Sequence, residues 1–153
     1  MFVIMQKYSV YILVMLLACL QLGCSTGNSY RYKIGVSQCV GGPWRDKVNN
    51  EMLSAQHLYD TDVEVTIVDA NNNNARQCEQ IDSMVNSGVD LLIVSPNEAT
   101  ALTHIVKEVY ESGIPVVVFD RNIHGSSYTA RSGVDDVGLG KSAARYAQHL
   151  VGE

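Results

Sequence analysis

The feature that most constrains the fold is a regular alternation of short apolar runs with longer helical patterns, which begins near residue 32. Residues 89–94 and 114–119 are almost wholly apolar and rich in β-branched side chains, which is typical of strands buried on both faces of a parallel sheet. In residues 63–68, apolar and polar side chains alternate, which predicts a strand with one partly exposed face at the sheet edge. Two more strands are predicted at residues 32–37 and, more weakly, 128–134.

Between these strands, apolar residues recur at helical spacing. A first helix is expected to begin near Pro43, and a second at Asn74, which forms a variant capping box with Gln77. Gly88 is expected to end the second helix in a left-handed conformation. Further helices are predicted over residues 102–109 and 139–150. This order of elements predicts an α/β fold with a doubly wound parallel sheet.

Charge and cysteine usage exclude several classes of function. The net charge is −5 and no basic stretch is present, which argues against nucleic acid as a partner. The four histidines lie far apart and no CxxC motif occurs, so neither a metal site nor a cofactor is predicted. Cys39 and Cys78 would pair only in an oxidising compartment; otherwise they serve as small buried apolar residues. No serine stands in a nucleophile-elbow setting, so a binding domain is favoured over an enzyme.

The first 24 residues have the character of an export signal. Residues 10–22 are nearly all apolar and follow Lys7, but the run is short for a membrane span. Cys24 follows a small residue and resembles a lipidated lipobox cysteine; Cys19 is the alternative, and an uncleaved signal anchor is the third. Residues 25–31 are then a linker, and the rest of the chain is expected in the periplasm or cell envelope, anchored to the membrane.

Unusual polar residues follow the predicted strands directly. Asp120 and Arg121 come after the most hydrophobic strand, where a carboxylate and a guanidinium can together bind vicinal hydroxyls. An ion pair or a helix cap that serves only the fold is the alternative. Since ligands of doubly wound sheets bind beyond the carboxyl ends of the strands, this edge is the predicted site.

Other candidates lie at the same predicted edge. Trp44, in a glycine-rich loop, can cover the apolar face of a sugar ring or simply pack against the sheet. Gln38 and Arg45 flank the same loop and are candidates to bond hydroxyls. Asn97 follows the third strand, where ligand binding competes with helix capping.

Four stretches together resemble the ribose/galactose-type periplasmic sugar-binding proteins of the type I fold: residues 69–77, 88–96, 113–121 and 133–140. The resemblance implies that Asp120 and Arg121 bind sugar hydroxyls and that Trp44 stacks on the sugar. The family often has asparagine where this chain has Ser95, which leaves Asn97 as the substitute. The implied ligand is a monosaccharide or small sugar of unspecified identity.

The resemblance also implies a domain organisation. Residues 32–131 correspond to an N-terminal sugar-binding lobe, and residues 132–153 to the start of a second lobe that the chain leaves incomplete. Residues 34–51 are similar to the periplasmic sensor region of Bacteroides-type hybrid two-component histidine kinases, which implies a kinase module as partner. A solute-binding lipoprotein that serves an ABC permease is the alternative. A cytoplasmic repressor would need a helix-turn-helix in place of the hydrophobic leader.

Overall fold

The computed structural model describes residues 31–59 and 62–152. These residues contain five parallel strands and four helices. The elements in chain order are β1 (Tyr32–Gln38), α1 (Pro43–Gln56), β2 (Val63–Asp69), α2 (Asn74–Asn86), β3 (Leu91–Val94), α3 (Ala99–Glu111), β4 (Val116–Phe119), β5 (Ala130–Ser132) and α4 (Asp136–Val151). The predicted α/β fold with a doubly wound parallel sheet is confirmed.

The strands lie in the order β2-β1-β3-β4-β5, and every neighbouring pair is parallel. From β1 the chain moves outward to β2 and then crosses back to β3 on the other side of β1. Strand β2 lies at the edge of the sheet, as the alternating pattern of residues 63–68 predicted. The strand order therefore reverses between β1 and β3. The carboxyl ends of these two strands flank the crevice where such sheets bind ligands.

The main core lies between the sheet and helices α2 and α3. It consists of buried aliphatic side chains, among them Ile81, Leu92, Leu102, Val106, Val116 and Val118. The other helix that flanks the first strands, α1, packs more loosely, and its single buried residue is Arg45. A largely apolar cavity of about 340 Å³ separates α1 from β1 and β2, with Ile34, Met52 and Tyr59 in its wall.

Local chemistry moves several element boundaries from their predicted positions. The cap of α2 is Asn73, whose side chain accepts a hydrogen bond from the Arg76 N–H at 2.9 Å, and not Asn74, which is the first helical residue. The left-handed conformation expected at Gly88 is confirmed, with φ of 81°. Strand β3 begins at Leu91, because the N–H of Val89 still bonds to the carbonyl of Met84.

The chain from β5 onward has little contact with the core. All three residues of β5 are exposed, and α4, which starts three residues earlier than predicted, has no buried residue. None of the helices in the described part of the chain has the length and apolar character needed to cross a membrane. The predicted leader, the linker, Cys19 and Cys24 lie outside the described residues.

Candidate functional site

Five of the six predicted ligand-binding residues form two hydrogen-bonded groups at the carboxyl ends of β1, β3 and β4. Gln38, Arg45 and Asp120 form one network, and Asn97 is joined to Arg121 in a second. Trp44 lies beside the first network, with the Arg45 guanidinium carbon 4.9 Å from its ring centroid. All six residues therefore lie near the carboxyl ends of the strands, where the sequence predicted them.

Arg45 is the centre of the first network. Its residue is only 6% exposed, so its charge must be satisfied within the protein. Nη1 donates to Oε1 of Gln38 at 2.9 Å, and Nη2 donates to Oδ2 of Asp120 at 2.6 Å and to Sγ of Cys39 at 3.4 Å. The arginine therefore connects the end of β1, the first turn of α1 and the end of β4.

Asp120 does not pair with Arg121, so the ion pair between these neighbours that the sequence left open as an alternative is not formed. The Asp120 carboxylate bonds to Arg45, whereas Nη1 of the exposed Arg121 donates to the backbone carbonyl of Asn97 at 2.9 Å. Asp120 also has φ of 62°, a left-handed conformation that is uncommon outside glycine but tolerated by aspartate.

Trp44 is an exposed aromatic side chain at the same edge. It is 55% exposed and stands parallel to Phe119, the last residue of β4, with centroids 6.0 Å apart and ring planes 4° apart. The loop that carries it is bent by Gly42, whose φ of 133° favours glycine. Gln38, which is buried, donates through Nε2 to Oδ1 of Asn49 at 2.7 Å.

Gln77 is a site residue that sequence reasoning missed. It is fully buried, donates to Oγ of Ser37 and to the carbonyl of Ser95, and accepts from the N–H of Asn97. The amide thus ties the ends of β1 and β3 to α2 and fixes the backbone of the β3–α3 loop. A signal was present in the sequence, because Gln77 stands four residues before Ile81 and therefore on the core face of the helix.

Asn97 and its neighbours form a polar bridge between two helices. The Asn97 side chain donates to Oδ1 of Asn74 at 2.7 Å, and Asn74 in turn donates to Glu98 at 3.0 Å. Glu98 is the cap residue of α3, but its side chain makes no capping bond. Instead of the helix-capping role that the sequence left open for it, the Asn97 side chain bonds to the first residue of α2.

The two cysteines of the described chain are free thiols. Cys39 is buried between Arg45 and Ser95, whereas Cys78 lies on α2. Burial, together with the carboxylate of Asp82, raises the pKa of the Cys78 thiol. Within residues 31–59 and 62–152, no three histidine, cysteine or acidic side chains come together as a metal site would require.

Solved structures share this arrangement of strands and helices. The fructose binding periplasmic domain of a hybrid two component system is 41% identical, with a TM-score of 0.75 over 78% of this chain and 40% of its own. An ABC transporter solute binding protein from Bacillus halodurans, solved with bound myo-inositol, is 28% identical, with a TM-score of 0.69 over 80% of this chain and 44% of its own.

Curated relatives give the same picture. The ribose import binding protein of Bacillus subtilis is 25% identical over 84% of this chain, and the D-xylose-binding periplasmic protein of Escherichia coli is 33% identical over 57%. The chain covers 42% and 26% of the length of these two proteins. Residues 34–153 match the periplasmic binding protein domain, and on that match the chain belongs to the periplasmic binding protein family.

Proposed function

We propose that this chain forms a sugar-binding lobe that works outside the cytoplasm and binds its ligand without catalysis. The ligand-binding residues are proposed to be Asp120, Arg121, Trp44, Gln38, Arg45 and Asn97. The observation that carries the proposal is the position of the partly exposed Asp120 carboxylate, paired with the buried Arg45 guanidinium, beside the exposed Trp44 ring, at the point where the strand order reverses. A sugar needs both charge-assisted hydrogen bonds and an apolar surface for its C–H groups.

D-Fructose is the first ligand to test, since the structural relative with 41% identity is described as fructose binding. D-Ribose, D-xylose and myo-inositol follow, because other relatives are named for these ligands or were solved with them. Titration calorimetry on the full-length protein should give saturable binding of one of them. Asp120→Ala should abolish it, because sugar hydroxyls and Arg45 would lose their acceptor.

Asp82→Asn is the matched control, because it removes an exposed carboxylate from α2, away from the proposed ligand-binding residues. It should bind the same sugar with unchanged affinity. Equal affinity in Asp120→Ala would show that the pocket has been assigned to the wrong place. Failure of the wild-type protein to bind any of the four compounds would contradict the proposed ligand class.

Residues 32–131 are proposed to form the first lobe, and residues 132–153 the beginning of a second lobe. The exposed apolar face of α4 supports this division, since it has no partner among the described residues. A fragment spanning residues 25–153 should therefore bind sugar weakly or not at all, because half of the enclosing surface is missing. Micromolar binding by that fragment in calorimetry would refute the two-lobe requirement.

For the whole protein we propose a sensor role, in which the lobe reports sugar to a histidine kinase across the membrane. The similarity to the periplasmic domain of a hybrid two component system supports it. A lipoprotein that delivers sugar to an ABC permease is the second candidate, supported by the solute-binding and import-binding relatives. Sequencing the reading frame past Glu153 tests both: a second lobe followed by a transmembrane helix and kinase favours the sensor, and a stop after the second lobe favours the transporter.

The membrane anchor is proposed to be a lipid on Cys24, with Cys19 as the alternative residue and an uncleaved signal helix as the alternative anchor. Metabolic labelling with a fatty-acid analogue should mark the wild-type protein and lose the label in Cys24→Ser. Loss of label only in Cys19→Ser would move the modification site, and the absence of label in the wild type would favour the signal anchor.

A further inference from the structure

Arg45 differs from the other proposed sugar-binding residues in how its donors are used. Both terminal nitrogens of the guanidinium already bond to protein acceptors, namely Gln38, Cys39 and Asp120. Arg45 is only 6% exposed. Arg121 is exposed, and its Nη1 donates a hydrogen bond to the backbone carbonyl of Asn97. Of the two arginines, Arg121 is therefore the one with free donors at the surface.

The Asp120 carboxylate is held in one orientation by Arg45. Oδ2 receives the arginine, and among the described residues no hydrogen bond reaches the second oxygen, Oδ1. The side chain of Asp120 remains 39% exposed, so this second oxygen is available to a ligand hydroxyl. Its backbone is held as well, because its N–H donates to the Ser132 carbonyl at 2.7 Å while φ stays at 62°.

We propose that Arg45 is a positioning residue that acts on the sugar only through Asp120, whose free oxygen it directs toward the ligand. The proposal rests on the sugar-binding function proposed above and refines it: among the three charged side chains of the site, Asp120 and Arg121 contact the sugar directly and Arg45 does not.

A double-mutant cycle on the full-length protein tests this division of roles. The ligand is whichever of D-fructose, D-ribose, D-xylose and myo-inositol binds the wild type most tightly, and calorimetry gives each Kd. Arg45→Met should weaken binding at least about thirtyfold, because removing the buried partner of a hydrogen-bonded charge pair leaves the Asp120 carboxylate unpaired and no longer held in place. In an Asp120→Asn background, the same change should alter the Kd by less than about twofold, because the carboxylate that Arg45 positions is already absent.

Two further variants control for charge and for folding. Arg45→Lys keeps the charge but lacks the planar fork that bonds to Gln38 and Asp120 together, so its affinity should lie between wild type and Arg45→Met. Lys47→Met removes a positive charge from the exposed side of the same helix and should leave the Kd unchanged. If thermal melting shows Arg45→Met to be unfolded, the cycle is run with Arg45→Lys.

The results of these experiments distinguish the positioning role of Arg45 from the proposed sugar-binding function. Equal weakening by Arg45→Met in the wild-type and Asp120→Asn backgrounds would overturn the positioning role and make Arg45 a direct sugar contact. If Asp120→Asn binds too weakly to measure, a crystal structure of the wild-type complex decides: the proposal requires Arg45 bonded to Asp120 and not to the sugar. Absence of sugar binding by the wild type would instead reject the proposed function, and this inference with it.

Discussion

Helices α3 and α4 carry similar apolar stripes but have opposite surroundings. In α3, all four residues of the stripe are buried, and Leu102 is 0% exposed. In α4, Leu139, Tyr146 and Leu150 share one face at helical spacing, yet each is more than 60% exposed. Amphipathic spacing thus identifies the face of a helix that seeks a partner, and only the rest of the fold decides whether a partner is there.

The difference separates the described chain into a region with its own core and a region without one. From β1 to β4, the sheet and helices α2 and α3 enclose a continuous aliphatic cluster. From β5 onward, the chain contributes one short exposed strand and an exposed helix. The stability of residues 32–119 should therefore be sensitive to core mutations, whereas substitutions in α4 should have little effect on it.

Leu102→Ala should have the largest effect on stability. Removing a fully buried leucine loses its transfer free energy and leaves a cavity, which typically lowers the free energy of unfolding by about 3 kcal/mol or more. Urea denaturation of the chain, followed by far-UV circular dichroism, measures it. A loss below about 1 kcal/mol would mean that the core beneath α3 is much less well packed than the structure indicates.

Much of this organisation could be predicted from the sequence, because strand and helix periodicities differ and chain order limits the topology. The sheet edge that holds Asp120 and Trp44 followed from the same argument. The partner of Asp120 could not be predicted in this way. Arg45 lies 75 positions away in the sequence, and the direction of the Arg45 side chain depends on the turn at the start of α1. Gln77 was missed because a polar residue within a helix is usually exposed, and its burial here depends on acceptors supplied by other strands.

Gly35→Ala should produce the next largest loss, because β1 and α2 approach closely at this point. A β-carbon on Gly35 would lie 2.9 Å from the Met84 sulfur and 3.2 Å from a Val89 methyl, so both side chains would have to move. Such overpacking lowers the free energy of unfolding by about 1–3 kcal/mol, which the same urea titration measures.

Gly140→Ala in α4 is the matched control for Gly35→Ala, since a β-carbon there meets no atom within 4 Å. Alanine favours the helix over glycine, so this variant should be neutral or slightly more stable in the same urea titration. Equal destabilisation by the two substitutions would contradict the contrast between the packed and unpacked regions.

Asn73→Ala should lower the free energy of unfolding by about 1 kcal/mol, because the first turn of α2 loses its side-chain cap. The corresponding change in α4 is Asp135→Ala, which removes the bond from the Gly138 N–H. Since α4 is not coupled to the core, its loss should reduce helical content without moving the midpoint of the main unfolding transition. A shift of that midpoint equal to the one for Asn73→Ala would show that α4 unfolds together with the core.

Leu139→Ala should have the smallest effect in this chain, within about 0.5 kcal/mol, because the leucine is 62% exposed. It forms a matched pair with Leu102→Ala, since the same atoms are removed from the same kind of helix. In the full-length protein the two-lobe proposal requires the stripe on α4 to be covered by the second lobe, and Leu139→Ala should then become strongly destabilising. An equally small effect in both contexts would mean that this stripe remains exposed in the complete protein, and the assignment of residues 132–153 to a second lobe would be wrong.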